Sequence, residues 1–226
     1  MTPARLRPTA PIAANAILVG DPGRALMLAQ ELLQQPKMSN HARGLWGYTG
    51  VTHEGHELTL QSTGMGGPSA GVVLSDLAEL GVERAIRIGT CTSLGEFELG
   101  DLAIATEAFP DSPGSRGGNG TEPHQAVVLP DLDLTQMLIN QLGEGAEGAV
   151  AASLDVLHQP DQPVHPAAEV ADMQTAALFA TGSRLGVAVA ALLVVSQNQA
   201  GDTLSDEELE REAKEAGIAA AAILSP

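Results

Sequence analysis

Residues 16–33, AILVGDPGRALMLAQELL, set the pattern from which the rest of the chain is read. Residues 16–20 are apolar and partly β-branched, which predicts a strand ending in a glycine turn. Asp21 stands where a helix N-cap would stand, with Pro22 in the first helical turn. Leu26, Ala29, Leu32 and Leu33 then recur on one face of a helix over 23–33.

The same order, strand to small-residue turn to helix, continues downstream. ELTLQST (57–63) leads into GMGGPSAGVVLSDLAELG (64–81), and RAIRIGTCTSL (84–94) is a further strand that ends in a small-residue turn. DLAIATEAF (101–109) is a strand with Asp101 at its mouth, whereas 110–123 is dense in glycine and proline and predicts a mobile loop. GAVAASLD (148–155) reads as a strand and 158–169 as an irregular connection. MQTAALFATGSRLG (173–186) reads as a helix closed by Gly186. VAVAALLVVSQN (187–198) is the most apolar strand, and after a loop the last helix begins near Asp206 with acids that suit its dipole. This alternation predicts an α/β protein with an open or barrelled sheet, a single domain over 1–226 with no repeat and no linker.

Composition narrows the function. The chain has 226 residues, 44% of them hydrophobic, enough for one core without staples. Eleven Lys and Arg against 28 Asp and Glu give a formal charge of -17, which argues against nucleic-acid and membrane partners. Cys91 is the only cysteine, so neither an internal disulfide nor a multi-cysteine metal site is expected, and no apolar run suits a signal peptide or a membrane span. A cytoplasmic location is the expectation.

In so acidic a chain, arginines beside glycine turns are candidate anion ligands. Gly20 with Arg24, the turn from Gly64 to Gly67, and Arg87 with Gly89 and Thr90 form such a set. Glycine lets backbone N–H groups approach a phosphate, arginine adds a planar fork of charged donors, and threonine adds a neutral one.

In this order VGDPGRA, NHARGLWGYTG, STGMGGPSAG, RIGTCTSL and DMQTAALF resemble the signature segments of the hexameric bacterial purine nucleoside and uridine phosphorylases. The resemblance runs from about Arg7 to the final helix. It implies a single-domain mixed central sheet, a distorted barrel flanked by helices. It implies phosphate-dependent cleavage of the N-glycosidic bond of a nucleoside, with no cofactor or metal and with inorganic phosphate as co-substrate. By the same resemblance Gly20, Arg24, Arg87 and Thr90 bind phosphate from their own subunit. Arg43 reaches across a dimer interface into the neighbour's site, so the active unit is a homo-oligomer built from dimers, a hexamer by analogy. Met65 packs against the ribose, and Met173 belongs to the sugar-binding segment.

The sequence departs from the family where the nucleoside would lie. The sugar-binding segment carries Gln174 where an acid is usual, an exchange that costs roughly 1 to 3 kcal/mol of hydrogen bonding and about ten to over a hundredfold in rate. The last long strand ends in Ser196, Gln197 and Asn198 where purine-preferring relatives often show Ser-Asp. An amide cannot protonate a base but can hydrogen-bond a 6-oxopurine or uracil, with Asn198 the preferred match and Gln197 the alternative. Thr92 stands where a glycine is common beside the base. Leu157 with His158 stands where an aromatic pair often stacks. Arg5 falls near the place of a histidine lent by the neighbour to the ribose 5′-hydroxyl. His158 and His165 read as solvated loop residues. The matched half is the phosphate half, which favours a phosphorylase of shifted specificity. A hydrolase or transferase on the same scaffold, or a catalytically weak binding or partner subunit, are the competing readings.

Overall fold

The computed structural model describes residues 5–112, 114, 127–157 and 164–225. The opening unit forms as predicted: strand β1 (Asn15–Val19), then helix α1 (Pro22–Leu32), whose N-cap Asp21 accepts from the N–H groups of Gly23 and Arg24. Leu33 is not the helix end; it opens strand β2 (Leu33–Asn40). Strands β3 (Gly47–Thr52) and β4 (Glu57–Ser62) lead to α2 (Gly66–Glu79), followed by β5 (Arg84–Ser93) and β6 (Leu102–Pro110). Then come α3 (Leu132–Leu142), β7 (Glu147–Ser153), β8 (Val170–Asp172), α4 (Thr175–Leu185), β9 (Ala188–Gln197) and α5 (Asp206–Leu224). Gly186 closes α4 in the left-handed conformation at φ 72°, as its position predicts.

β2, β3, α3 and β8 have no counterpart in the sequence reading, and each has a physical reason. β2 carries Pro36 and mostly polar residues because it is an edge strand paired only to β3, and β3 has two glycines in its six residues. β8 is three residues long and exists through pairing with β5 and β7. α3 follows the glycine- and proline-rich 110–123 and starts at an Asp131 cap, with Leu134 and Leu138 buried one turn apart. Of that predicted loop, 113 and 115–123 lie outside the described residues.

The sheet is both open and closed. β2, β3, β4, β1 and β5 lie side by side, and β5 then joins β9, β6, β7 and β8 in a ring, because β8 pairs back onto β5 and β9 pairs with both β5 and β6. β5 serves both parts: residues 84–88 pair with β1, while Thr92 and Ser93 pair with β8. Alternation along the strands feeds two cores. Ile17, Val19, Ile86 and Ile88 face α1, α3 and α5, whereas Leu18, Leu193 and Val195 join the core of α2 and α4. α5 lies close on α1, where a Cβ at Gly217 would come within 2.6 Å of Leu28.

β1, β4, β5 and β9 are mutually parallel neighbours, so their C-terminal ends leave the sheet on one side. In parallel sheets ligands bind at those ends, where helix N-termini also gather.

Candidate active site

A cavity of about 490 Å³ opens there, lined by the turns after β1 and β4, by Leu157, by the segment that enters α4 and by β5 itself, which runs on through Gly89 and Thr90 to Ser93 where the sequence predicts a glycine turn. Gly20 and Arg24 contribute from the first turn, Gly64, Met65 and Gly66 from the second, Arg87, Gly89 and Thr90 from β5, and Met173 and Gln174 from the fourth. Gly64 and Gly66 sit at φ 71° and 78°, a backbone region that side chains rarely adopt. Met65, the N-cap of α2, leaves the N–H groups at the start of that helix without a side-chain cap; Gly66 of its first turn lines the cavity, and Pro68 has no N–H to present. Such a terminus favours an anion.

The two cavity arginines differ. Arg87, buried, gives Nη2 to the Asp172 carboxylate at 2.9 Å, Nη1 to Gln174 Oε1 at 2.7 Å and Nε to Thr175 Oγ1 at 3.3 Å. Gly89 makes room for this: a Cβ there would lie 2.5 Å from Arg87 Nη2 and 2.8 Å from Leu193. Asp172, fully buried, also accepts from Ser153 Oγ, Thr175 Oγ1 and the N–H groups of Gln174 and Thr175, which fixes the start of α4. A buried ion pair needs such added hydrogen bonds to offset its desolvation.

Arg24 makes no side-chain hydrogen bond or ion pair among the described residues, although it is largely removed from water. Burial pulls its guanidinium below the ordinary arginine value, the nearby Arg87 charge adds to that, and Asp21 opposes both. Arginine stays charged regardless. A desolvated, unpaired cation in a cavity is a site for an anion. The Thr90 hydroxyl, half-buried on the same wall, likewise has no partner among the described residues.

Residues 15–226 match the family model of the phosphorylase superfamily. The chain belongs to this superfamily. It is 31% identical to a DeoD-type purine nucleoside phosphorylase of Caldanaerobacter subterraneus subsp. tengcongensis over 88% of this chain and 90% of the relative. It is 30% identical to that of Alkaliphilus metalliredigens over 87% and 88%. In fold it is similar to the uridine phosphorylase of Vibrio fischeri, with a TM-score of 0.80, 22% identity and coverage of 94% and 92%. It is also similar to the Toxoplasma gondii purine nucleoside phosphorylase in complex with immucillin-H, with a TM-score of 0.79, 20% identity and coverage of 94% and 90%. The expected mixed α/β sheet, barrel-like and flanked by helices, is the one found.

Within this phosphorylase-superfamily fold, the remaining predicted residues lie away from the cavity. Arg43 is exposed in a short 3-10 turn (Ala42–Gly44) at φ 61°, strained for a side chain, and it has no partner among the described residues. Arg5 lines a separate hollow between α2 and α4 together with Arg184, and its backbone N–H is held by Asp76. Thr92 and Gln197 are register partners across β5 and β9, at an irregularity that leaves Ser196 bulged with its hydroxyl on the Cys91 carbonyl. Asn198 borders another hollow, and its amide is spent on Asp202, which it both donates to and accepts from at 2.9 Å. Gln197 is half-buried, and its amide has no hydrogen-bond partner among the described residues.

His165 is no simple solvated histidine. It stacks on Phe109 with ring centroids 3.6 Å apart, and its Nδ1 accepts from Ala167 N–H. His158 lies outside the described residues. Burial drives the Cys91 thiol far above its ordinary range, so it is inert. The sequence reading missed Thr63, Ser153, Thr175 and the role of Asp172; only the Asp172-to-Thr175 spacing, typical of a helix start, pointed to the last two. Among the described residues, no three of His, Cys, Asp and Glu converge as metal ligands would, and no helix is long and apolar enough to cross a membrane.

Proposed function

We propose that the chain is a nucleoside phosphorylase that uses inorganic phosphate to cleave the N-glycosidic bond of a 6-oxopurine nucleoside or of uridine, giving free base and ribose 1-phosphate. The observation that carries this reading is the unpaired, desolvated Arg24 in a cavity walled by glycine turns and an uncapped helix start. The phosphate oxygens meet Arg24, the free N–H groups of Arg87, the Thr90 hydroxyl and the backbone near Gly20 and Gly64. Phosphate then attacks C1′ from the face opposite the base as the C–N bond breaks, and the sugar carries positive charge in the transition state. In this reading Met65, 86% exposed, and Met173, both on the cavity wall, cover the sugar. Of the two amides after β9, Gln197 supports the role of base contact, because Asn198 is already occupied by Asp202. No cofactor enters this reading beyond phosphate as co-substrate.

The reading extends to a cytoplasmic purine-salvage enzyme that assembles as a homo-oligomer of dimers, a hexamer by resemblance. In it Arg43 completes the neighbour's phosphate site and Arg5 lies near the neighbour's sugar. The strained, partnerless Arg43 and the exposed Trp46 and Met65 support an interface on this face. A second reading, a catalytically weak partner subunit, is favoured by one observation: the cavity's amide and its buried carboxylate, Gln174 and Asp172, are both committed to the protein itself. Release of base from inosine, guanosine, adenosine, uridine and thymidine, measured with and without phosphate, separates them. Release only with phosphate supports the phosphorylase, equal release without it indicates a hydrolase, and none supports the partner subunit.

A further inference from the structure

The amide of Gln174 is turned toward the protein at both ends. Its Oε1 accepts from Arg87 Nη1 at 2.7 Å and lies 2.9 Å from Thr63 Oγ1, whose one proton is shared between it and the Val19 carbonyl at 3.0 Å, while its Nε2 donates to the carbonyls of Gly64 at 2.7 Å and Gly66 at 3.4 Å. In a residue 3% exposed this set leaves little to offer a sugar. The partners also fix which end is which. Donors face the oxygen and carbonyls face the nitrogen, an arrangement that an ionised glutamate cannot reproduce, because one of its oxygens would oppose the Gly64 carbonyl.

From this we infer that Gln174 is a positioning residue for anion binding rather than a sugar ligand, and that its neutrality is what keeps Arg87 available. The inference rests on the phosphate reading above. Arg87 has five N–H groups. Three are spent on Asp172, Gln174 and Thr175, which leaves two in a residue that lines the cavity. Asp172 is its single ionic partner among the described residues. A carboxylate at 174 would add a second counter-charge to the same guanidinium and set an anion beside the arriving phosphate. The amide also ties Arg87 on β5 to the glycine turn after β4, so the two walls of the cavity are held in register by one neutral side chain.

Substitution by glutamate tests the charge. The charged and titratable groups around that position are Arg87 and Cys91 on β5, Asp172 on β8, and Asp21 and Arg24 at the start of α1; the α2 turn offers only backbone. Wild type and Gln174→Glu are titrated with inorganic phosphate by calorimetry at about pH 8 and about pH 5.5, either side of where a carboxylate beside an anion site protonates. The variant is expected to bind phosphate about tenfold more weakly at the higher pH, with the ratio to wild type narrowing at the lower one as the carboxylate takes up a proton. In turnover, the KM for phosphate rises and the KM for nucleoside stays. A residue that only supports the fold would give a ratio independent of pH. Gln174→Met, which removes the hydrogen bonds and adds no charge, carries the test if the glutamate variant does not fold; it is expected to weaken phosphate equally at both pH values without moving the nucleoside KM. Wild type that binds phosphate beside a variant with unchanged affinity, or with a shifted nucleoside KM alone, overturns the positioning role. Wild type that binds no phosphate overturns the phosphate reading and this inference with it.

Discussion

The turns after β1 and β4, the C-terminal half of β5 and the segment after β9 lie on the same side of the sheet, yet they spend their polar groups differently. At the first three, groups suited to an anion are left open: the Arg24 guanidinium, the Thr90 hydroxyl and the uncapped start of α2. After β9 most are consumed locally, Asn198 on Asp202 and Ser196 on the Cys91 carbonyl, and Gln197 stands alone. On the proposed reading, phosphate recognition is built into β5 and two short strand-to-helix units that fold with the core, and base recognition is left to one side chain at a strand end, where change costs the fold little.

Arg87 belongs to both the core and the cavity, and its loss should have the largest effect. Arg87→Met strands the buried Asp172, and about 3 to 5 kcal/mol of stability should be lost in denaturant unfolding. A loss under about 1 kcal/mol would mean that the pair contributes little in solution. Arg24→Ala should do the opposite. Its stability should stay within about 0.5 kcal/mol of wild type, because no partner is stranded. Phosphate affinity measured by calorimetry should fall about ten to a hundredfold, as expected for lost charge-assisted hydrogen bonds.

Gly89→Ala lies between these. Its Cβ would push on the Arg87 guanidinium and on Leu193, and a cost of about 1 to 3 kcal/mol is expected in thermal unfolding, together with weaker phosphate binding. The smallest effects should come from the β9 side. Asn198→Ala should cost about 1 kcal/mol by opening the Asp202 turn and leave base preference as it was, whereas Gln197→Ala should leave stability unchanged and alter the ratio of activities on inosine and uridine. Identical substrate ratios in wild type and Gln197→Ala would return the role to Asn198. Cys91, buried and held protonated, should resist thiol reagents at about pH 8 until the protein unfolds.

Much of this was legible locally. The run 16–33 carried a strand, a cap and a helix, but of the face read as Leu26, Ala29, Leu32 and Leu33 only Ala29 and Leu32 are among the buried residues of α1, with Ala25 and Leu28 beside them, and Leu33 lies in β2 because the helix ends at Leu32. The glycines after β1 and β4 pointed to the cavity wall because each lies within a few residues of its strand end, whereas Gly89 and Thr90 lie inside β5. What was not legible depends on register between distant segments. Arg87 meets Asp172 across 85 positions, and only the pairing of β5 with the three-residue β8 makes them neighbours. The same distance hid the commitment of Gln174, whose neighbours Thr63 and Gly64 lie in the turn after β4, more than a hundred residues earlier. Asn198 and Gln197 are adjacent and chemically alike, and the choice between them is made by the hydrogen bonds of the turn to Asp202 and by the bulge at Ser196, neither of which has a compositional signature.

The ring of β5, β9, β6, β7 and β8 has one further consequence, for colloidal behaviour. A closed ring leaves none of its strands without a neighbour on either side, so among the described strands β2 is the sole edge of the whole sheet. That edge is interrupted where Gln35 turns to φ 47° and the pairing with β3 slips between Gln34 and Lys37, with Pro36 lacking a donor at the break. A proline, a lysine and a kink are the devices that keep strands of separate molecules from zipping together. Copies of this chain are therefore steered to meet through helices and loops, where contacts are specific and finite, and away from the open-ended sheet growth that leads to fibres.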